Sequence, residues 1–469
     1  MRRRAIAAGA AALAIAALAP ARAQAHGLAG TPTPGVPDWL FAWGAAVVLL
    51  ASFFALAALW QQPRLQSVRE RSLLRLPGWL DPLCGALGVA AFVAVVYAGL
   101  AGAQDTLDNI LPTVVFVYVW VVVPLVSGLL GNVFAAFNPW RAIARAAAWL
   151  GERAGVEGAQ PVPYPAWLGR WPAALGILAF GWVELVSTTR EDPSALAVLA
   201  LAYAAAQLVA MSVFGREQWE RHGDPLGVLF AVFARLSPLR WTRRTLLLRR
   251  PLAGVTSLDV GAGMVGLILV VIGVTTFDGL SAGPLWTDLA PTLQGWFQDA
   301  GLGTAHAIEA SATVGLAGCV LVVAAFYALG VRGIRSVAPE RSGRELAQAF
   351  VHTLVPIALA YIAAHYVSLA VFQGQGLIYL ASDPLGHGWN LLGTASFAID
   401  YGLVPPSAIW YAQVGALVAG HVCGLILAHD RALALFTDRR AAVRSQYWML
   451  VIMVGFTNLG MWLISAANQ

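Results

Sequence analysis

The chain has 469 residues, of which 59% are hydrophobic and only 11% are charged. A soluble domain carries about 25% charged residues, so a water-soluble fold of this size would lack the polar side chains to cover its surface. All 29 basic residues are arginine and lie scattered beside apolar segments, a pattern that indicates membrane topology and no nucleic-acid partner.

The N-terminus has the pattern of a secretory signal peptide over residues 1–25. Three arginines precede a short apolar run, and small residues end it at Ala25. Cleavage there would leave His26 first, and its free amine and imidazole could bind a metal such as copper. The alternative is that His26 merely begins a disordered tail.

Ten apolar segments follow, each long enough to cross a bilayer, since a helical span needs about 20 residues. Because lipid offers no hydrogen-bond partners to an open backbone, they must be helices. The sequence therefore predicts an all-α, polytopic transmembrane bundle forming one domain over 26–469. The predicted spans are 39–60, 82–102, 110–131, 168–188, 194–214, 258–277, 309–330, 346–372, 405–428 and 446–466.

The arginines predict the orientation of these spans. Odd-numbered connections hold nearly all of them, whereas the even-numbered connections hold only Arg190. The positive-inside rule places the odd connections in the cytoplasm. We therefore expect a multi-pass protein of the bacterial inner membrane with both mature ends outside the cytoplasm.

Two of the cytoplasmic connections mix aromatic residues with arginine, over 132–150 and 226–250. This composition is typical of amphipathic helices lying on an anionic membrane surface. The alternative is a cytoplasmic subdomain that packs onto the bundle.

Polar side chains within spans are costly and are therefore functional candidates. His352 and His421 lie at similar predicted depths near the inner surface, on antiparallel spans. Two facing histidines could bind a metal or a haem, or relay protons. Alternatively, each forms separate hydrogen bonds. Glu184, in the fourth span, is a candidate proton-relay residue.

A second group lies toward the outer surface. Its members are a possible ligand set for zinc, copper or another divalent cation: His26, His306, Glu309, His365 and His387. His306 and Glu309 are three residues apart and share a helix face. Walker, G-x-S-x-G and HExxH motifs are absent from the sequence, which argues against ATP hydrolysis and classical serine hydrolysis.

The sequence also resembles a bacterial family of multi-span proteins known as fenitrothion hydrolase-like proteins. The resemblance is strongest over 354–366, 380–386, 420–433 and 445–450, and it includes Ala25-His26-Gly27-Leu28. It implies hydrolysis of an organophosphorus triester at its P–O–aryl bond, and it assigns no catalytic residue. We expect such hydrolysis to use a Lewis-acid metal and an activated water. Such a substrate is an apolar small molecule that would partition into the bilayer.

The polar residues within the predicted spans are also compatible with two other functions. One is a transporter that uses Glu184 and intramembrane histidines to move protons or cations. The other is a haem-binding redox subunit that uses His352 and His421.

Overall fold

The computed structural model describes residues 38–155, 160–242 and 244–467. The predicted signal peptide and His26 lie outside these residues, so both remain predictions.

The described chain is built mainly of helices, because apolar runs of this length satisfy their backbone groups internally. The longer helices are α1 (Asp38–Leu59), α2 (Leu80–Ala101), α3 (Ile110–Leu130), α4 (Pro139–Arg153), α5 (Trp171–Leu185), α6 (Pro193–Phe214), α7 (Pro225–Phe233), α8 (Met264–Ser281), α9 (Pro284–Asp299), α10 (Thr304–Arg335), α11 (Gly343–Leu380), α12 (Pro406–Leu435) and α13 (Tyr447–Ala467). Shorter helices cover Phe134–Phe137, Arg216–His222, Ala253–Thr256 and Arg439–Arg444.

Two of the long helices contain irregular turns. In α3, residues Thr113–Val122 form a π-helix. In α11, the 3₁₀ turn Val351–Leu354 joins the α-helical segments Gly343–Phe350 and Val355–Phe372, and another 3₁₀ turn follows at Gln373–Gln375. Such turns often mark functional positions in helices.

Seven described helices are long and apolar enough to cross a membrane: α2, α3, α6, α8, α10, α11 and α12. Two shorter apolar helices cover Trp43–Leu59 and Trp171–Leu185. Each of the ten predicted spans overlaps one helix of the structure, α13 included. The all-α class and the multi-pass membrane character are therefore supported, while the number ten stays a prediction.

A small sheet, which the sequence did not predict, lies at one end of the bundle. Its strands are β1 (Glu70–Arg75), β2 (Leu239–Trp241) and β3 (Thr245–Arg249), in the order β1-β3-β2. Both pairings are antiparallel, and Glu70 lies opposite Arg249. The sheet thus joins the first connection of the chain to the fifth.

This sheet corrects the expectation of an interfacial helix over 226–250. The first part of that segment is α7, in which Leu229, Phe230 and Phe233 are completely buried. The rest is the β2–β3 hairpin. The first part of 226–250 is therefore a buried helix, and its last part is paired in the sheet. By contrast, 132–150 is largely helical, and α4 keeps Trp149 half exposed.

Contacts between connections define two ends of the bundle. At the sheet end, the Thr256 hydroxyl donates to the Leu65 carbonyl and Arg431 donates to the Thr256 carbonyl. At the opposite end, which we call the far end, Thr106 donates to the Glu191 carbonyl and Thr188 donates to Glu309. Odd connections meet one another and even connections meet one another, as an alternating helix bundle requires.

Helix α8 lies at the centre of the bundle. Every residue from Leu267 to Gly279 is buried, as expected for a helix that is apolar all round. It packs against α5, where Gly181 contacts Val274, and against α10, where Val320 contacts Gly273. A charged residue on this helix is consequently removed from solvent and lipid alike.

Candidate functional site

The central helix carries one carboxylate, Asp278, three residues before its end. His365 of α11 reaches it, with Nε2 2.7 Å from Asp278 Oδ2. Both side chains are almost completely buried, at 7% and 3% exposure respectively. An ion pair or short hydrogen bond at this depth is costly to desolvate and persists only where the geometry is good.

A second carboxylate lies beside this pair. Glu184 of α5 is 2% exposed, and its electrostatic neighbours are Asp278 and Arg190. Within residues 38–155, 160–242 and 244–467, neither Glu184 carboxyl oxygen has a hydrogen-bond partner. Two carboxylates in one buried site repel each other when both are ionised, so this position favours a proton on one of them.

Two aromatic side chains complete the group. The Tyr366 hydroxyl lies next to Asp278 and to Trp120, and both aromatic residues are fully buried. Trp120 belongs to the π-helical part of α3. The His365 and Tyr366 rings contact edge to face at 4.7 Å. We call Glu184, Asp278, His365 and Tyr366 the acid–histidine cluster.

The cluster lies toward the far end, because Glu184 and Asp278 are close to the C-terminal ends of α5 and α8. The turn after α5 follows Glu184 directly in the chain. There Thr188 donates its backbone N–H and its hydroxyl to Glu309, at 3.0 and 2.8 Å. Arg190, the only arginine of the even connections, lies in the same turn and within electrostatic reach of Glu184.

The proposed outer ligands are distributed among separate partners. His365 pairs with Asp278, Glu309 accepts from Thr188, and the His387 ring contacts Trp389. His306 is exposed. In the part of the chain that the structure describes, no group of three or more His, Cys, Asp or Glu is placed to hold a metal ion. With His26 outside that part, the outer zinc or copper site stays a prediction.

The two inner histidines have different neighbours. His352 lies on the 3₁₀ turn of α11 and is buried, with Arg431 as its charged neighbour. His421 of α12 faces Tyr361, with ring centroids 6.1 Å apart. A cavity of about 40 Å³ adjoins His421. That volume holds about one water molecule, and a haem ligated by both histidines stays a prediction.

Asp278 is a site residue that hydropathy did not predict. The predicted sixth span ends at residue 277, whereas the helix continues to Ser281. The apolar residues Phe277 and Leu280 on either side were the available signal. If the predicted sixth span is extended by one helical turn, it includes Asp278, which then becomes a candidate as an acidic residue within the membrane.

A similar extension explains His429 and Asp430, which α12 contains because it continues to Leu435. The Asp430 carboxylate accepts hydrogen bonds from Trp60 Nε1, Gln66 Nε2 and the Leu65 backbone. His429 contacts the Trp60 carbonyl and Gln446. These contacts are structural: they fasten the connection after α1 to the sheet end of the bundle.

No protein-family model, curated protein or solved structure matches this chain. Its class is therefore defined by its fold and its site. The fold is a helix bundle with several apolar, membrane-length helices, which fits an integral membrane protein. The site is a buried group of two carboxylates, an imidazole and a phenol in the interior of that bundle, toward its far end.

Proposed function

We propose that this protein is a proton-coupled membrane transporter in which the acid–histidine cluster takes up and releases the coupling proton. The observation that carries the proposal is the 2.7 Å contact between His365 and Asp278 beside the unpaired, buried carboxyl group of Glu184. Ionisable groups at membrane depth are expensive to keep and commonly mark proton or ion pathways.

The chemistry of the cluster suits this role. Asp278 and His365 are close enough to share a proton, and an imidazole accepts and donates protons near neutral pH. Glu184 lies next to Asp278, so a proton that binds Glu184 removes the repulsion between the two carboxylates. Tyr366 adds a hydroxyl beside Asp278. The net charge of the cluster therefore depends on whether it holds the transported proton.

The orientation follows from the arginines. Placing the sheet end in the cytoplasm satisfies the positive-inside rule and puts the cluster nearer the outer face. In this arrangement protons reach Glu184 from outside, past the turn that contains Arg190. The transported solute would be a small molecule that enters the bundle from water or from the bilayer.

Proton flux into proteoliposomes tests the proposal. The full chain is reconstituted, a small-molecule cell extract is added outside as the source of solute, a pH gradient is imposed, and a trapped pH-sensitive dye reports acidification. We expect uptake by the wild type and at least a tenfold loss in Asp278→Asn and His365→Gln. Asp288→Asn, which removes an exposed carboxylate outside the cluster, should keep the wild-type rate. No flux above protein-free vesicles under any gradient would overturn the proposal.

Hydrolysis of organophosphorus triesters stays a second hypothesis that rests on the sequence resemblance alone. It requires a Lewis-acid metal and an activated water. The assay is release of nitrophenol from a nitrophenyl phosphotriester by the metal-loaded protein, with loss of activity on chelation. If no nitrophenol is released, this hypothesis is wrong, and the transport proposal is unaffected.

A further inference from the structure

A long groove lies on the surface of the bundle between α2 and α4, apart from the acid–histidine cluster. Its volume is about 890 Å³, within the range of about 300–1,000 Å³ that small-molecule sites occupy. Helix α2 lines it from Pro82 to Tyr97, and α4 lines it from Ala142 to Trp149. Most of these lining side chains are aliphatic, so the groove suits an apolar occupant.

The groove lies on a part of the bundle that faces lipid. Helix α2 is one of the membrane-length apolar helices, and most of its residues are not buried by the rest of the chain. The lining stretch from Pro82 to Tyr97 is about 22 Å long, because each helical residue rises about 1.5 Å. One leaflet contributes about 15 Å to the hydrocarbon core of a bilayer. The groove is therefore long enough for one acyl chain.

Two glycines of α2 allow the wall of the groove to pack closely against this helix. An added Cβ at Gly85 would lie 2.9 Å from the Ala142 Cβ, and one at Gly88 would lie 1.8 Å from the Phe137 carbonyl oxygen. Only residues without a Cβ permit such an approach. The relative position of α2 and α4 is thus fixed by close packing, and the groove is a defined feature of the fold.

Arginine and tryptophan side chains lie at one end of the groove. Arg141, Arg145, Trp149 and Arg153 recur every four residues along α4 and share one side of it. Nη1 of Arg145 donates to Asp81, in the first turn of α2. This turn follows β1 in the chain, so the arginines mark the sheet end of the groove.

This end of the groove can bind a phosphate group. A guanidinium carries five N–H donors, so Arg145 keeps donors beyond the one that Asp81 accepts, and its side chain is 28% exposed. The Arg153 guanidinium lies over the Trp149 ring, 4.2 Å from its centroid. Tryptophan is enriched at membrane interfaces, and arginine clusters there attract anionic headgroups. The groove therefore matches a phospholipid from headgroup to acyl chain.

We propose that the α2–α4 groove binds one anionic phospholipid from the leaflet at the sheet end. Its acyl chain lies along α2, and its phosphate accepts hydrogen bonds from Arg145 and Arg153. Asp81 competes with the phosphate for Arg145 and limits the affinity. In the proposed orientation this leaflet is the cytoplasmic one, which carries anionic lipids. The proposal requires a membrane setting but does not depend on proton transport.

Native mass spectrometry of the delipidated, full-length protein tests the site, with phosphatidylglycerol and phosphatidylcholine of identical acyl chains as probes. We expect wild type to bind the first phosphatidylglycerol at least tenfold more tightly than the first phosphatidylcholine. Arg145→Gln should remove most of this preference, and Asp81→Asn should increase it. Arg335→Gln is the matched control, because it removes an exposed arginine at the sheet end outside the groove lining, and it should bind as wild type does.

A second pair of variants tests the acyl-chain part of the groove. Ala90→Trp fills the groove without changing a charge and should weaken binding of the first phosphatidylglycerol at least tenfold. Ala91→Trp places the same side chain at an exposed neighbouring position outside the lining and should have no effect. This pair decides the matter if Arg145→Gln does not fold.

Three results would overturn the proposal. One is equal affinity of wild type for the two lipids. Another is unchanged phosphatidylglycerol binding in Ala90→Trp. The third is a change from dimer to monomer in Ala90→Trp, which would show that a second copy of the chain covers the groove.

Discussion

Asp278 and His365 come from two helices that are far apart in the chain, and their side chains meet 2.7 Å apart in the centre of the bundle. Removing one partner leaves the other buried without its nearest group of complementary charge. We expect Asp278→Asn or His365→Gln to lower the free energy of unfolding by about 3–5 kcal/mol. The double variant should cost less than the sum of the two, by about 0.5–3 kcal/mol of coupling.

The free energies of unfolding of the wild type, the two single variants and the double variant, measured in detergent, give this double-mutant cycle. Additive losses would show that the two side chains do not interact. A cycle on Asp278 and Glu309, which lies outside the cluster, serves as the control and should be additive within about 0.5 kcal/mol.

Asp430 is expected to stabilise the fold without a role in transport. Its carboxylate accepts hydrogen bonds from Trp60, Leu65 and Gln66. Asp430→Ala would leave these donors unpaired, at about 1–3 kcal/mol each for those that water cannot reach. The exposed helix cap Asp438 is the comparison, since Asp438→Ala should cost about 1 kcal/mol. Equal thermal shifts for the two variants would contradict the assignment.

Asp192 should make stability depend on pH in the acid range. It caps α6, and hydrogen bonds from the Ser194 hydroxyl and the Ala195 backbone lower the pKa of its carboxyl. A folded pKa below the unfolded value of about 3.9 means that the stabilisation is complete above that value. It is lost as the pH falls toward the folded pKa.

Asp192→Asn should therefore lose less thermal stability than wild type between neutral pH and pH about 3. The control is Asp288→Asn, which removes an exposed acid elsewhere on the same end of the bundle. The same acid sensitivity in Asp192→Asn and wild type would show that the cap does not titrate as described.

The orientation of the bundle predicts which sites a membrane-impermeant maleimide reaches in intact cells. Ser72→Cys lies on exposed β1 at the sheet end and should react only after the membrane is permeabilised. His387→Cys lies in the connection between α11 and α12 and should react from outside. If Ser72→Cys reacts in intact cells and His387→Cys does not, the orientation is the opposite of the predicted one. If both react in intact cells, an even number of spans cannot separate the mature N-terminus from each site as predicted.

The sequence was sufficient to predict the helices but not their exact ends or their neighbours. Hydropathy locates each apolar run, because every such run must bury its backbone bonds within itself. It says nothing about whether a charged residue just past a run, such as Asp278 or Asp430, continues the helix. Those two residues gained their partners only through tertiary packing.

The histidines illustrate the same limit. Equal depth predicts that His352 and His421 lie at one level of the bundle, but depth does not give the rotation of each helix about its axis. The neighbours that the structure gives to His421 and His352, Tyr361 and Arg431 respectively, could not be read from the sequence. Likewise, the β1–β3 pairing joins segments about 170 residues apart, and short strands rich in arginine have a weak sequence pattern.

The central claim is that Glu184 changes its protonation state as part of the acid–histidine cluster. Infrared difference spectroscopy of the reconstituted protein, recorded across a pH step, observes this group through the carbonyl stretch of a protonated carboxyl. We predict a pH-dependent band in wild type that disappears in Glu184→Gln and shifts in Asp278→Asn, with Glu309→Gln unchanged. A spectrum without such a band, or one that Glu184→Gln leaves intact, would contradict the account.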